Sequence, residues 1–274
     1  MKKIAVVGLG IIGGSICGAL TRAGYHVDGF GRSRASVEYA LKAGYIQKEG
    51  LNLADYDVVF IAVPPYATLE YLENGTFKDN ALVTDICGVK GVIEKAVYEK
   101  KRNYRYVGLH PMAGKETSGI QSASPELFVN ANLIITHAPQ TDIKDVEEIK
   151  EYAMAMGFGK IVECTADEHD KKIALTSQLA HIVSNAYVKS PQVKDYEGFT
   201  GGSFQDMTRI AGVDEKVWTP LYACNRENII AELRGLIENL SVYLEALEKE
   251  DDEKLSDTLK EGRLIRETIK RERE

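Results

Sequence analysis

Residues 8–13 read Gly8-Leu9-Gly10-Ile11-Ile12-Gly13, directly after the apolar run 4–7 and ahead of a stretch rich in small residues. No other segment restricts the fold as tightly. In a strand–turn–helix unit the first glycine permits the sharp turn, the second lets a ligand approach the backbone, and the third lets helix and strand pack closely. Unsatisfied N–H groups at the start of the helix then face the turn and suit the pyrophosphate of a dinucleotide. Gly8, Gly10, Ile11, Ile12 and Gly13 are therefore the first candidate cofactor residues. The same glycines interrupt the apolar run that follows Lys2-Lys3, so this segment reads as a buried strand rather than a leader.

A turn of this kind belongs to an alternating α/β chain. Short β-branched runs at 4–7, 26–30, 58–63, 82–86, 106–109, 133–136 and 161–163 predict strands. Helical patterns lie between them near 14–23, 35–43, 92–100 and 143–156, while Pro64-Pro65, Asn74-Gly75 and Gly157 read as turns. From about Asp167 the strand-like runs stop. One helix is expected over 170–188, with His181 on a face shared with Leu175, Leu179 and Ile182. Another, over 227–249, carries an apolar stripe at Leu233, Leu236, Ile237, Leu240, Leu244 and Leu247, and a charged last helix over 254–270 carries a thinner one at Leu255, Leu259, Ile265 and Ile269. Such stripes serve either an intrachain core or the interface of a homodimer. The expected fold is an α/β, Rossmann-type doubly wound parallel sheet over residues 1–165, with an all-α substrate and dimerisation domain over 166–274. At 274 residues each domain has enough chain for its own core.

Bulk properties remove several function classes. A formal net charge of −7 disfavours a general nucleic-acid binder. No apolar run reaches the ~18 residues of a membrane span. Cysteines 17, 87, 164 and 224 show neither CxxC nor metal-ligand spacing, which points to free thiols in a reducing cytoplasm and to no metal site.

The end of the second strand bears on the choice of cofactor. An NAD enzyme usually has an acidic residue there to hold the ribose hydroxyls. Here the chain reads Gly31-Arg32-Ser33-Arg34, and Asp28 falls too early, inside the strand. Two guanidinium groups and a hydroxyl suit a 2′-phosphate, so the segment favours NADP, with NAD as the alternative.

Further segments follow in order: Ile61-Ala62-Val63-Pro64-Pro65; Thr84-Asp85-Ile86-Cys87-Gly88-Val89-Lys90; Gly108-Leu109-His110-Pro111-Met112-Ala113-Gly114 with Glu116 and Ser118-Gly119; Leu175 to His181; and Gly201 to Ala211, then Trp218 and Asn225. Together with the glycine turn they resemble the prephenate dehydrogenase family of tyrosine biosynthesis. That resemblance implies oxidative decarboxylation of prephenate to 4-hydroxyphenylpyruvate and CO2, with hydride transfer to NAD(P)+. It leaves open an arogenate or dual-specificity cyclohexadienyl dehydrogenase and, as a different class, a catalytically silent NADP-sensing regulator.

His110 follows an apolar strand and precedes Pro111, which places it at a C-terminal strand end where α/β sheets bind ligands. There a neutral imidazole serves as the base for the substrate hydroxyl. Arg209 suits a substrate carboxylate, with Asp206 and Glu116 as candidate partners that position it. His181 is expected to reach the side-chain carboxylate and Trp218 to line the substrate site, while Val63, Pro64 and Pro65 face the cofactor. Members of the family often carry Ser at the position of Gly88, so one hydrogen bond is in doubt here, and Cys87 or a backbone N–H is a candidate replacement. Lys90 is expected at a helix start, near phosphate or solvent.

Overall fold

Apolar runs without polar alternation are the signature of strands covered on both faces. In the computed structural model, which describes residues 2–50, 52–114 and 117–271, seven strands pair into one sheet, and Ile4–Val7 and Val58–Ile61 are such runs. The strands are β1 (Ile4–Val7), β2 (Val27–Phe30), β3 (Val58–Ile61), β4 (Leu82–Asp85), β5 (Arg105–Met112), β6 (Asn132–Thr136) and β7 (Lys160–Cys164). Their order is β2-β1-β3-β4-β5-β6-β7. All pairs are parallel except β5 with β6, which is antiparallel. A parallel return needs a crossover, usually helical. Among the described residues of 113–131 only a short 3-10 turn, Ile120–Ser122, forms, and the chain re-enters the sheet reversed.

Side chains alternate across a strand, and the core divides accordingly. Ile4, Val6, Val58, Phe60, Leu82, Val107 and Leu109 enter one apolar cluster; Ala5, Val7, Val59, Ile61 and Val83 enter the other. The first cluster takes in residues of α1 (Ile11–Arg22), α2 (Arg34–Lys42) and α5 (Ile143–Met156). The second is covered by Leu72 of α3 (Pro65–Asn74) and by Ile93 and Val97 of α4 (Gly91–Tyr98). Each buried side chain of this size stabilises the fold by about 1.5–3 kcal/mol before chain entropy is counted. Helix α3 fills the gap between the two turn signals at 64–65 and 74–75, which are its ends. Pro65 stands in its first turn, where the missing N–H and preset φ are tolerated.

After β7 the chain is helical. α6 (Ala166–Ile173) starts at a capping box in which Thr165 and Glu168 each satisfy the other's backbone N–H. It passes through a widened π turn, Ala174–Leu179, into α7 (Ala180–Tyr187). A π turn changes the phase at which side chains leave a helix. Leu175, expected on the buried face, is exposed, whereas Leu179 is buried. α8 (Gly202–Thr208) and α9 (Glu215–Cys224) follow.

Contacts gather residues 1–225 into one compact unit and 226–274 into a second. The second unit consists of α10 (Arg226–Glu248) and α11 (Asp252–Arg271), which pack on each other. Ile237, Leu240, Leu244, Leu247, Leu259, Ile265 and Ile269 are exposed in the single chain. Among the described residues no helix is long and apolar enough to cross a membrane.

Candidate active site

β1 lies between β2 and β3, so the strand order reverses beside it, and the carboxyl ends of these strands frame a crevice. The crevice has a volume of about 830 Å³, with Gly8 and Gly10 on one wall and Val63 and Pro64 on another. Gly8 has φ +96°, and a Cβ there would stand 2.2 Å from the Ala62 carbonyl oxygen. A Cβ on Gly13 would stand 1.9 Å from the Gly8 oxygen. At Gly10 a Cβ would meet nothing within 4 Å, so the backbone lies open towards the crevice. Helix α1, whose first turn contains Ile11 and Ile12, has neither a side-chain cap nor an acidic residue at its start. This is a cradle fitted to the pyrophosphate of a dinucleotide. Pro65 is buried at the start of α3.

At the β2 end the crevice is lined by Gly31, Arg32, Ser33, Ser36 and Glu49. Ser33 caps α2 by accepting from the Ser36 N–H at 3.3 Å. Arg34, expected beside Arg32 as a phosphate ligand, is instead engaged by Glu38 at 2.9 Å and Glu49 at 3.0 Å. Arg32 is the arginine that faces the crevice.

The central strands carry the second group. His110 sits near the end of β5, half-buried, with its Nδ1 2.8 Å from Nε2 of His169. His169 Nδ1 lies 2.7 Å from Oδ1 of Asp170. That carboxylate also accepts the backbone N–H groups of Lys90 and Gly91, both at 2.8 Å, and so caps α4. Asn225 holds the same segment by donating to the Asp170 carbonyl at 2.8 Å and to Gln178 Oε1 at 2.7 Å. Withdrawal from water, then the neighbouring His169 and Lys90, lowers the His110 pKa well below its ordinary value. Burial also lowers that of His169, against the opposing pull of Asp170. Lys90, expected near phosphate or solvent, is fully buried, with its ammonium 2.5 Å from Asp85. Asp85 further accepts from Tyr106 Oη at 2.6 Å and Cys87 N at 2.8 Å.

Through Nε2 His110 faces Gly88, where a Cβ would stand 3.5 Å from that nitrogen and 3.7 Å from Leu221 of α9. A serine would fit. Cys87 does not take its place: the thiol lies against Thr68 Oγ1 at 3.2 Å and the Val63 carbonyl at 3.5 Å. Burial pushes its pKa up to about 12.

A third group lies on the helices. His181, Ser184 and Asn185 share one face of α7, as their spacing of three and four requires. His181 Nδ1 donates to the Ile210 carbonyl at 2.9 Å, Ser184 to Met207 O at 2.7 Å and Asn185 to Ala211 O at 3.1 Å. These bonds bracket Arg209, which caps α8 and is exposed, as is Asp206 one turn earlier. The Trp218 ring lies 4.0 Å from that of His181. Leu221, three residues on along α9, reaches Gly88, so α9 links this group to His110. Glu116 lies outside the described residues. Among the described residues no cluster of His, Cys, Asp or Glu could hold a metal ion.

Sequence comparison meets this geometry from the other side. The description "Prephenate dehydrogenase, nucleotide-binding domain" matches residues 16–162, and "Prephenate dehydrogenase, dimerization domain" matches residues 165–261. The chain belongs to the prephenate dehydrogenase family. It is 30% identical to the prephenate dehydrogenase of Lactococcus lactis subsp. cremoris, over 98% of this chain and 78% of that protein. Among solved structures it resembles A. aeolicus prephenate dehydrogenase in complex with hydroxyphenyl propionate and NAD+, with a TM-score of 0.85, 28% identity and 98% of both chains covered. It also resembles Synechocystis arogenate dehydrogenase, with a TM-score of 0.81, 27% identity, and 97% and 99% covered. In this member of the prephenate dehydrogenase family, the motif residues pointed to His110, Arg209, His181 and Trp218 but not to what holds them. His169 and Asp170 lie 59 and 60 positions from His110, and their one sequence signal is a His-Asp pair in the first turns of a capped helix.

Proposed function

We propose that the chain is a prephenate dehydrogenase, removing hydride from C4 of prephenate with loss of CO2. The observation that carries this reading is His110, near the end of β5, with Nδ1 on His169, Nε2 facing Gly88 and a pKa that burial lowers well below its ordinary value. Prephenate carries a ring carboxylate, a pyruvyl carboxylate and a C4 hydroxyl. His110 Nε2 accepts the hydroxyl proton as the C4–H bond breaks. The ring carboxylate leaves as CO2, and its bonding pair completes the aromatic ring. Arg209 binds a substrate carboxylate through its forked guanidinium, and Trp218 and His181 line that end of the site, with Asp206, one turn before Arg209 on α8, as a candidate to position it.

The bound dinucleotide supplies the hydride acceptor. Gly8, Gly10 and Gly13, with the first turn of α1, hold its pyrophosphate, and Val63 and Pro64 lie along it. Arg32 and Ser33 support NADP as the preferred form, with NAD as the alternative. The match to a family dimerization domain and the exposed stripes of α10 and α11 support a homodimer. Purified protein mixed with NADP or NAD and either prephenate or arogenate, followed by absorbance of the reduced nicotinamide, tests the reading. Prephenate-dependent reduction is the expected result. Turnover of arogenate alone would transfer the same residues to an amino-acid substrate, and no turnover of either would overturn an enzymatic role.

A further inference from the structure

His110, His169 and Asp170 form a hydrogen-bonded chain, and their hydrogen-bonding capacities leave one consistent assignment of protons. A carboxylate only accepts, so the proton between His169 and Asp170 resides on His169 Nδ1. Asp170 is held in place for this, because its two oxygens also receive the backbone N–H groups of Lys90 and Gly91. In a neutral imidazole with a proton on Nδ1, Nε2 is a lone pair. His169 Nε2 faces His110 Nδ1 at 2.8 Å, so His110 must be the donor of that bond. The remaining nitrogen of His110, Nε2, is then an acceptor, and it is the one that faces Gly88, where a Cβ would stand 3.5 Å away.

We infer that His169 and Asp170 are positioning residues that lock His110 into the tautomer with its base nitrogen facing the substrate. Among the described residues no side chain hydrogen-bonds His110 Nε2. Gly88 has no hydroxyl, and the Cys87 thiol is turned towards Thr68 and Val63. Among the described residues the hydrogen bond that orients His110 comes from α6, whose start is set by the Thr165–Glu168 capping box. Burial of His169, with a smaller push from Lys90, lowers its pKa against the pull of Asp170, which favours the neutral ring with Nε2 as acceptor. The inference rests on reading His110 as the base, and the test separates the two.

The tautomer is read first, without substrate, from the imidazole nitrogen spectrum of protein labelled with nitrogen-15 at its five histidines. The His110 signals are assigned by their loss in His110→Asn. A protonated Nδ1 and an unprotonated Nε2 at neutral pH are expected, and a proton on Nε2 would overturn the inference whatever the enzyme turns over. Kinetics then follow. His169→Leu removes the acceptor, and kcat is expected to fall by roughly 100-fold with little change in KM. In His169→Gln the side-chain oxygen can accept from Nδ1, and most of the loss should be recovered. In a His110→Asn background, His169→Leu should add no more than about twofold, because the two act through one group. Independent, multiplying losses, with the nicotinamide dissociation constant unchanged, would leave His169 a packing residue and refute the positioning role.

Discussion

A histidine withdrawn from water and placed beside a second histidine and a buried lysine is poised to accept a proton, not to carry a charge at rest. That is the state of His110, and its replacement by Asn should lower kcat by about 100-fold or more while leaving cofactor affinity nearly unchanged. Titration adds a sign to the same prediction. In its proposed role as base His110 would act in the neutral form, and burial lowers its pKa, so kcat/KM should fall on the acid side only below the ordinary value of 6.5. The charged or titratable neighbours in that limb are His169 and Asp170 from α6 and Lys90 and Asp85 from the β4–α4 connection. A pH profile that already falls above 6.5 would contradict the arrangement. At the other end of the crevice, charge acts on the cofactor. Arg34 is committed to Glu38 and Glu49, which leaves Arg32 and Ser33 to meet a 2′-phosphate. Replacing Gly31 by Asp and Arg32 by Ala removes that cation and adds repulsion, and should shift preference from NADP towards NAD by a few kcal/mol at most. Catalytic efficiencies with the two cofactors, in the parent and the double variant, measure it. A parent strongly preferring NAD would mean that Arg32 turns to solvent.

The helical elements make a different contribution: they hold the segment that carries Arg209. α7 grips the carbonyls of Met207, Ile210 and Ala211, and Arg209 rides between them. Arg209→Ala should raise KM for prephenate roughly 10- to 150-fold, the worth of a charge-assisted contact of about 1.5–3 kcal/mol. Asn185→Ala loses one neutral bond, about 1 kcal/mol, and should raise KM several-fold with kcat nearly intact. Equal KM values in the parent and both variants would dissociate Arg209 from the substrate. β4 and α4 meet over the buried Lys90–Asp85 pair. Lys90→Met leaves Asp85 buried with only Tyr106 and the Cys87 N–H as donors, and should reduce stability by about 3 kcal/mol in urea unfolding. These elements were unequally legible in the amino-acid sequence. All seven strands show as short β-branched runs, most plainly β1 and β3, which are apolar and buried throughout, and the glycine turn shows because its steric demands are specific. α3 was hidden by its own ends, since Pro64-Pro65 and Asn74-Gly75 read as turns when taken alone. α8 and α9 are short, start or break at Gly201-Gly202 and Pro220, and lack the length for a periodic stripe. The π turn leaves no pattern, so Leu175 was assigned to the wrong face. The pairing of His110 with His169 depends on how two distant segments meet, which local spacing does not encode, and the burial of Lys90 depends on a strand-end partner in the same way.

At the scale of the whole molecule the exposed side of the α10–α11 unit sets the next expectation. Ile237, Leu240, Leu244 and Leu247 recur at three and four residues, so they share one helix face, and Leu240, Leu244 and Leu247 are each more than half exposed in the single chain. α11 adds Leu259, Ile265 and Ile269. Contiguous apolar surface of this kind is uncommon on a monomer and usual at an interface between subunits. A second copy related by a two-fold axis would cover it with the same stripe, since an isologous interface uses one patch on both subunits. The family description that matches residues 165–261 is that of a dimerization domain, which argues for the same occupant. The parent protein should therefore run as a dimer in sedimentation analysis at micromolar concentration. Leu240→Arg with Leu244→Arg places two cations in the middle of that stripe, where each would have to be desolvated against its symmetry mate. The double variant should sediment as a monomer, while residues 1–225, with their own two apolar clusters, should keep the sheet and bind nicotinamide dinucleotide. A parent that stays monomeric, or a double variant that stays dimeric, would move the interface away from α10.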